Sequence, residues 1–168
     1  MVPVISFVGW HNAGKTTVLE KVVRELTERG FRIGLLKHTE KRFQLDKPGS
    51  DTARLAQAGA CQVAIASQER IGFYGRVEQE PTLDEMCALF RDVDLIITEG
   101  YKQGDKPKIF VARSEISRDI PALSQLAAIV ADFEVGDQNI PCFGLEETDA
   151  LADFLAVLLQ NGSGGCRP

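Results

Sequence analysis

One stretch of nine residues near the N-terminus constrains the fold of this chain more than any other. It runs from Gly9 to Thr17, reads GWHNAGKTT, and matches the pattern G-x-x-x-x-G-K-[ST] without a mismatch. An apolar segment at 4–8 precedes it, and apolar residues at helical spacing over 18–26 follow it. This order of strand, loop and helix predicts a phosphate-binding loop; the alternative is a glycine-rich turn that binds nothing.

The residue types within this loop predict individual roles. Glycines let the backbone curl so that successive N–H groups face an anion, and the following helix points its positive end at the same place. Lys15 is expected to reach the β- and γ-phosphates, and the hydroxyl of Thr16 is expected to bind Mg²⁺. The residues expected to contact the nucleotide are Gly9, His11, Asn12, Ala13, Gly14, Lys15, Thr16 and Thr17.

Strand and helix patterns alternate along the rest of the chain. Strands are predicted at 31–36, 63–66, 94–98, 108–112 and 127–131, helices at 51–58, 82–90, 121–126 and 149–159, and a small hairpin at 71–77. The patterns predict an α/β fold: a P-loop NTPase whose mostly parallel sheet is flanked by helices and carries an inserted β-hairpin. We expect a P-loop domain at 1–160 and a flexible tail at 161–168.

Composition narrows the functional classes. The chain has 168 residues, 44% of them hydrophobic, which allows one sizeable core, and it has no apolar stretch long enough for a membrane span. A net charge of −5 disfavours nonspecific binding to nucleic acid or anionic membranes. The four cysteines lack C-x-x-C spacing, and the N-terminus lacks a secretion signal. We therefore expect a cytoplasmic protein without a zinc site.

The acid that assists the phosphate site is expected at the carboxyl end of a buried strand, because ligands of parallel α/β sheets bind there. Glu99 directly follows the strand predicted at 94–98 and meets this condition. Asp94 resembles a Walker B aspartate but lies at the opposite end of the same strand. Glu99 is therefore predicted to hold Mg²⁺ or its bound water. The alternative is an ordinary acidic end of a strand.

A long polar segment at 37–51 begins where the second strand is expected to reach the phosphate edge. Such a loop is typical of switch or acceptor sites. Lys37 and His38 are candidates for phosphate contacts, and Asp46 and Asp51 for contacts with metal or water. Alternatively, Asp51 caps a helix and the basic side chains are only solvated.

Several motifs, in this order, resemble a known family. They are GWHNAGKTT, Lys37-His38, D-x-P-G-x-D from Asp46 to Asp51, Arg54 with Ala58-Gly59-Ala60, and DLIITEGYK from Asp94. The chain through Arg113 thereby resembles the molybdopterin-guanine dinucleotide biosynthesis adapter proteins, the MobB family. The resemblance implies a GTP-binding homodimer with weak GTPase activity that uses Mg²⁺. Its implied partner is the molybdopterin guanylyltransferase, which joins GMP to molybdopterin, and molybdopterin-binding proteins are further candidate partners.

The resemblance and the motifs together nominate Lys15, Glu99 and Asp46 as catalytic residues. The chain departs from the family where a histidine-rich Lys-His-x-His-His-x-Phe-Asp is common, because it has Thr-Glu-Lys-Arg-Phe-Gln at 39–44. No Asn-Lys-x-Asp motif follows any predicted strand. Asp132, after the strand at 127–131, is the substitute candidate, since its carboxylate can accept hydrogen bonds from guanine N1–H and its amino group; the alternative is a solvated strand end.

Two other functional classes stay open from the residues. A small-molecule kinase is one, with Arg54, Arg70 and Arg76 as a lid over the transferred phosphate. A GTPase metallochaperone is the other, although two histidines and four unpaired cysteines make a poor ligand set.

The predicted hairpin region at 70–80 bears on assembly. Its Ile71, Phe73 and Val77 are more apolar than a solvated loop requires. An exposed hairpin edge invites pairing with a second copy, which fits the implied dimer; the alternative is packing on its own domain.

Overall fold

The computed structural model of the protein describes residues 2–136 and 139–162. These residues form eight strands and four helices. The strands are β1 Val4–Gly9, β2 Ile33–Lys37, β3 Gln62–Ala66, β4 Ile71–Gly75, β5 Leu95–Glu99, β6 Lys108–Ala112, β7 Leu126–Ala131 and β8 Cys142–Phe143. The helices are α1 Lys15–Glu28, α2 Asp51–Gln57, α3 Leu83–Cys87 and α4 Thr148–Gly162. None of the described helices is both long and apolar enough to cross a membrane.

Six strands form one parallel sheet in the order β2-β5-β1-β6-β7-β8. Because β1 lies between β5 and β6, the loop after β1 is flanked by the carboxyl ends of both neighbours. The remaining strands, β3 and β4, pair antiparallel in a separate two-stranded sheet. The predicted fold class, a mostly parallel sheet with helices and an inserted hairpin, is confirmed.

The chain divides into two compact units. The first combines the described residues up to His38 with those from Leu83 onward and contains the parallel sheet. The second is Thr39–Thr82, which holds α2 and the β3–β4 hairpin. Within it, the cap of α2 is Ser50, whose hydroxyl accepts a hydrogen bond from the N–H of Ala53, and Asp51 is the first residue of the helix.

Two apolar clusters cover the faces of the parallel sheet. One is packed by α1 and α4, whose buried side chains include Val22 and Leu26 from α1 and Leu151 and Leu155 from α4. The other contains buried residues from β1, β6 and β7 and is packed by side chains that lie outside the helices: Trp10, Ile120, Leu123, Phe133, Val135 and Ile140. Irregular segments therefore supply most of the side chains that cover this cluster.

The predicted helix at 121–126 is wrong. Residues 118–125 have no helical structure, and Gln125 has a φ of 58°, which a right-handed helix does not allow. The carbonyl groups of this segment are bound to β6 instead, since Ser124 O accepts from the Lys108 ammonium at 2.9 Å and Gln125 O from the Lys108 N–H at 2.8 Å. Pairing with β6 has replaced the hydrogen bonds that a helix would need.

The prediction that residues 71–77 contain both strands of a hairpin is also wrong. β4 is a single strand that pairs with β3, and the turn closes at 67–70, where Ser67 N donates to Arg70 O at 2.8 Å. Arg76 N then donates to Cys61 O, which continues the same pairing instead of reversing the chain. Helix α3 is shorter than the helix predicted at 82–90. Strand β8 was not predicted, because two residues are too few to show the alternating pattern of a strand. Of the tail predicted at 161–168, residues 163–168 lie outside the described part of the chain.

The side chain of Lys108 predicts a large stability effect. It is fully buried, and its ammonium donates to the carbonyl oxygens of Gly104, Lys106 and Ser124. We expect Lys108→Met to leave these carbonyls without their donor and to lower the free energy of unfolding by about 2–4 kcal/mol. Denaturant unfolding measures the change.

Lys106→Met is the matched control, because its ammonium pairs with the exposed Asp84 carboxylate at 2.8 Å. Lys106 is half-buried and its partner Asp84 is largely exposed, and an ion pair with one solvated partner contributes about 1 kcal/mol or less. Equal losses in the two variants would contradict the role assigned to Lys108.

Candidate functional site

The loop between β1 and α1 has the backbone of an anion-binding turn. Gly14 is the N-cap of α1 and has a φ of 83°, and Asn12 has a φ of 61°. Both lie in the left-handed region, which lets consecutive N–H groups turn inward. A β-carbon on Gly9 would lie 2.2 Å from the carbonyl oxygen of Val111 in β6, so only glycine fits where β1 ends.

The N-terminus of α1 is left open for an anion. Within the described residues, no side chain caps it by a hydrogen bond, and its first turn contains no acidic residue. The first N–H groups of a helix need partners outside the helix, and the helix dipole favours a negative one. The predicted loop residues His11, Asn12, Thr16 and Thr17 are exposed around this end of the helix.

Lys15 lies over the loop itself. Its ammonium donates to the carbonyl oxygen of Trp10 at 2.8 Å and to that of Gly9 at 3.3 Å. Partial burial lowers the pKa of Lys15, as does the nearby Lys37, while the charge of Glu99 acts in the opposite direction. The two carbonyl contacts therefore hold the ammonium at the mouth of the loop.

Glu99 and Thr16 face each other beside the loop. The Thr16 hydroxyl is 3.3 Å from Glu99 Oε2 and 3.4 Å from Oε1. The ammonium of Lys37, at the end of β2, lies 3.1 Å from Glu99 Oε2. The parallel registers cause this meeting, because Glu99 pairs with Phe7 of β1 on one side and with Lys37 of β2 on the other.

Asp94 lies at the opposite end of β5, as the sequence predicts. Its carboxylate accepts hydrogen bonds from Arg32: 2.9 Å from the backbone N–H, 3.3 Å from Nε and 3.2 Å from the terminal nitrogen. These contacts hold the start of β5 against the segment that leads into β2. Of the two acids on this strand, only Glu99 is placed at the phosphate loop.

The segments after β2 and β5 pack closely. His38 N donates to Glu99 O at 2.9 Å, and the rings of His38 and Tyr101 are 4.8 Å apart. Gly100 has a φ of 106°, and a β-carbon there would lie 3.0 Å from that of His38. This contact requires glycine and brings Lys37 to Glu99.

Asp46 and Asp51 belong to the second unit. Asp46 accepts a hydrogen bond of 2.5 Å from the Tyr74 hydroxyl, which raises the pKa of Tyr74. Asp51 is the first residue of α2, and its carboxylate is 3.6 Å from Arg54. The predicted contacts of both aspartates with metal or water remain predictions.

Asp132 follows β7, on the opposite side of β1 from Glu99. Its carboxylate accepts from the N–H of Ser114 at 2.7 Å and from the Ser114 hydroxyl at 3.1 Å. The Ser114 N–H is the main cause that lowers the pKa of Asp132. The exposed carboxylate is thus fixed in place and ionised, and its contact with guanine remains a prediction.

Sequence reasoning missed three residues near the loop, Trp10, Lys102 and Arg113. The Trp10 indole N–H donates to Asp119 O at 3.1 Å, and the Lys102 ammonium lies 4.8 Å from the centre of the Trp10 ring. A β-carbon on Gly14 would lie 4.0 Å from Cζ and Nε of Arg113. A basic residue just after a buried strand was the available signal for Arg113. Within 2–136 and 139–162, no group of three or more His, Cys, Asp or Glu side chains is arranged to hold a metal ion.

The parallel sheet, the glycine-shaped loop and the open helix N-terminus define a protein of the P-loop class. Residues 4–132 match the model of the family described as "Molybdopterin guanine dinucleotide synthesis protein B", MobB. This match covers most of the chain, and the protein therefore belongs to the MobB family.

Similarity to known proteins supports membership of this family. The chain is 32% identical to the molybdopterin-guanine dinucleotide biosynthesis adapter protein of Escherichia coli K12, over 98% of this chain and 97% of that protein. It is 30% identical to the protein of the same name from Haemophilus influenzae, over 97% of this chain and 93% of that one. The crystal structure of Bacillus subtilis MobB superposes with a TM-score of 0.74 at 25% identity and covers 94% of this chain and 97% of that chain.

Proposed function

We propose that this chain binds Mg²⁺-GTP, hydrolyses it slowly, and acts as an adapter in molybdenum-cofactor biosynthesis. In this role it assists the molybdopterin guanylyltransferase when GMP is joined to molybdopterin. The names of the relatives from E. coli and H. influenzae describe adapter proteins of molybdopterin-guanine dinucleotide biosynthesis. The proposed place of action is the cytoplasm, without nucleic acid or membrane as a partner.

The contact between Thr16 and Glu99 is the observation that carries the proposal. A hydroxyl and a carboxylate at 3.3–3.4 Å beside the loop offer hard oxygen ligands, which Mg²⁺ prefers. If Thr16 and Glu99 held Mg²⁺, the ion would supply positive charge to neutralise the negative charge that develops on the phosphates. Thr16 binds the ion directly in this proposal, and Glu99 binds it or one of its waters.

The loop and its lysine hold the phosphates. N–H groups from residues 12–16 surround the β-phosphate, and the Lys15 ammonium moves from the Gly9 and Trp10 carbonyls onto the β- and γ-oxygens. Lys37, now paired with Glu99 at 3.1 Å, lies close enough to add a second positive charge near the γ-phosphate.

Guanine recognition is assigned to Asp132. Two hydrogen bonds from Ser114 orient the Asp132 carboxylate and leave lone pairs free on both of its oxygens. Adenine offers no N1–H donor, so GTP should bind more tightly than ATP. Calorimetric titration of GTP, GDP and ATP into the protein tests this, and equal affinity for ATP would contradict it.

The adapter role is tested by measuring formation of molybdopterin guanine dinucleotide by the guanylyltransferase with and without this protein. We expect a stimulation that requires GTP and is lost with Lys15→Ala. A small-molecule kinase would instead consume GTP rapidly once its acceptor is present. A metallochaperone would retain a metal ion after chelator-free purification.

Lys15→Ala is predicted to lower the affinity for GTP at least tenfold without unfolding the chain, because it removes a charge-assisted contact with the phosphates. Trp10 is the only tryptophan of the chain and lies within the loop, so its fluorescence reports binding directly. Calorimetry gives the affinity. A folded variant with unchanged affinity would remove the phosphate-site assignment.

Glu99→Gln is predicted to slow Mg²⁺-dependent GTP hydrolysis at saturating nucleotide by about tenfold or more, since it removes a charged ligand of the ion. Asp94→Asn is the matched control: it should lower stability by about 1 kcal/mol through its contacts with Arg32 and leave hydrolysis unchanged. Slower hydrolysis in Asp94→Asn than in Glu99→Gln, with both variants folded, would reverse the assignment.

Dimer formation through the β3–β4 hairpin is the second part of the proposal. Ile71 is 87% exposed and Phe73 58% exposed, and their cross-strand partners Ala66 and Ala64 are exposed on the same face. A two-stranded sheet also has an unpaired edge on each side. Apolar exposure beside free strand edges favours pairing with a second copy across a two-fold axis.

Phe73→Asp is predicted to give folded monomers, because a buried charge at the interface opposes association more than it disturbs an exposed position of the single chain. Light scattering and thermal melts measure the two effects. Leu89→Asp, at a 63% exposed position of the first unit, should keep the dimer. A wild-type protein that is monomeric at tens of micromolar would end the hypothesis.

A further inference from the structure

Arg113 is placed at the phosphate loop by the sheet, although it lies almost a hundred residues away in the chain. β6 runs parallel to β1, with Gly9 opposite Val111, so Arg113 follows at the same edge as the loop. Its guanidinium approaches the N-cap of α1, where a β-carbon on Gly14 would lie 4.0 Å from Cζ and Nε. This distance is an ordinary van der Waals contact, so the guanidinium lies directly beside the N-cap residue.

The backbone of Arg113 is fixed while its guanidinium is available. The Arg113 carbonyl accepts from the N–H groups of Ile116 and Ser117, both at 2.9 Å, and Arg113 forms an antiparallel bridge with Ser117. Among the residues that the structure describes, the guanidinium makes no hydrogen bond or ion pair. Its charge also helps to lower the pKa of Asp132, after the hydrogen bonds from Ser114. Five N–H donors thus lie between Gly14 and Asp132.

The direction of the nucleotide follows from the metal side of the site. Thr16, Glu99 and Lys37 lie toward β5 and β2, so Mg²⁺ and the γ-phosphate belong on that side. Arg113 follows β6, on the other side of β1. The nucleoside end of the nucleotide therefore extends toward β6 and β7.

We infer that Arg113 is a nucleotide-contacting residue whose guanidinium binds the α-phosphate at the nucleoside end. The inference rests on the proposed binding of GTP. A guanidinium fits phosphate oxygens through parallel N–H donors, which the single ammonium of Lys15 cannot supply. Because GTP and GDP share the α-phosphate, Arg113 binds both nucleotides. The γ-phosphate that distinguishes them lies on the side of Thr16, Glu99 and Lys37.

Arg113→Ala should lower the affinities for GTP and for GDP by similar factors, about tenfold each. It should change the rate of hydrolysis at saturating GTP less than twofold. Calorimetry measures both affinities, and single-turnover assays measure hydrolysis. Arg113→Lys should recover only part of the affinity, because it keeps the charge but not the paired donors. Arg118→Ala is the control, since it removes the same charge from an exposed arginine that lies 5.4 Å over the Phe133 ring.

Three results would overturn the inference. Unchanged affinities in a folded Arg113→Ala, while wild type binds GTP, would remove the contact and leave the proposed function intact. A selective loss of hydrolysis with normal affinity would place the guanidinium at the γ-phosphate instead. Wild-type protein that binds no nucleotide would refute the proposed function and this inference together.

Discussion

The parallel pairing of β1 between β5 and β6 is the constraint on which the site depends. It sets Phe7 opposite Glu99 and Gly9 opposite Val111, so the loop and the residues after both neighbouring strands meet at one edge. The pairing tolerates no side chain at Gly9, since a β-carbon there would lie 2.2 Å from the Val111 carbonyl. Glycine is therefore needed at this position for sheet packing as well as for the curvature of the loop.

The two faces of the parallel sheet are shielded from solvent by different kinds of structure. Helices α1 and α4 cover one face with apolar side chains, whereas the apolar cluster on the other face is covered mostly by irregular segments, whose backbone groups need partners of their own. Lys108 supplies some of these partners, because its buried ammonium donates to three carbonyl oxygens, those of Gly104, Lys106 and Ser124. A charged residue at the start of β6 thus stabilises irregular segments beside this cluster.

Charges around the loop are arranged on two sides. Glu99, Thr16 and Lys37 lie on the β5 side, and Arg113 and Asp132 follow the strands on the β6 side. Lys15 lies between them, with its pKa lowered by burial and by Lys37. An incoming polyphosphate would add negative charge beside Lys15 and would face the N-terminus of α1, which no side chain caps among the described residues.

The sequence by itself determined the loop, its flanking strand and helix, the α/β class and the position of Glu99 at the loop end of β5, because these follow from local patterns and from strand direction alone. Only the tertiary structure decided that residues 121–125 are not helical. Their apolar pattern suits a helix, but the carbonyl oxygens of Ser124 and Gln125 accept hydrogen bonds from Lys108. It also decided which residues share the loop with Lys15. Arg113 comes beside Gly14 through strand order, and strand order is set by packing between segments far apart in the chain, which no local pattern records.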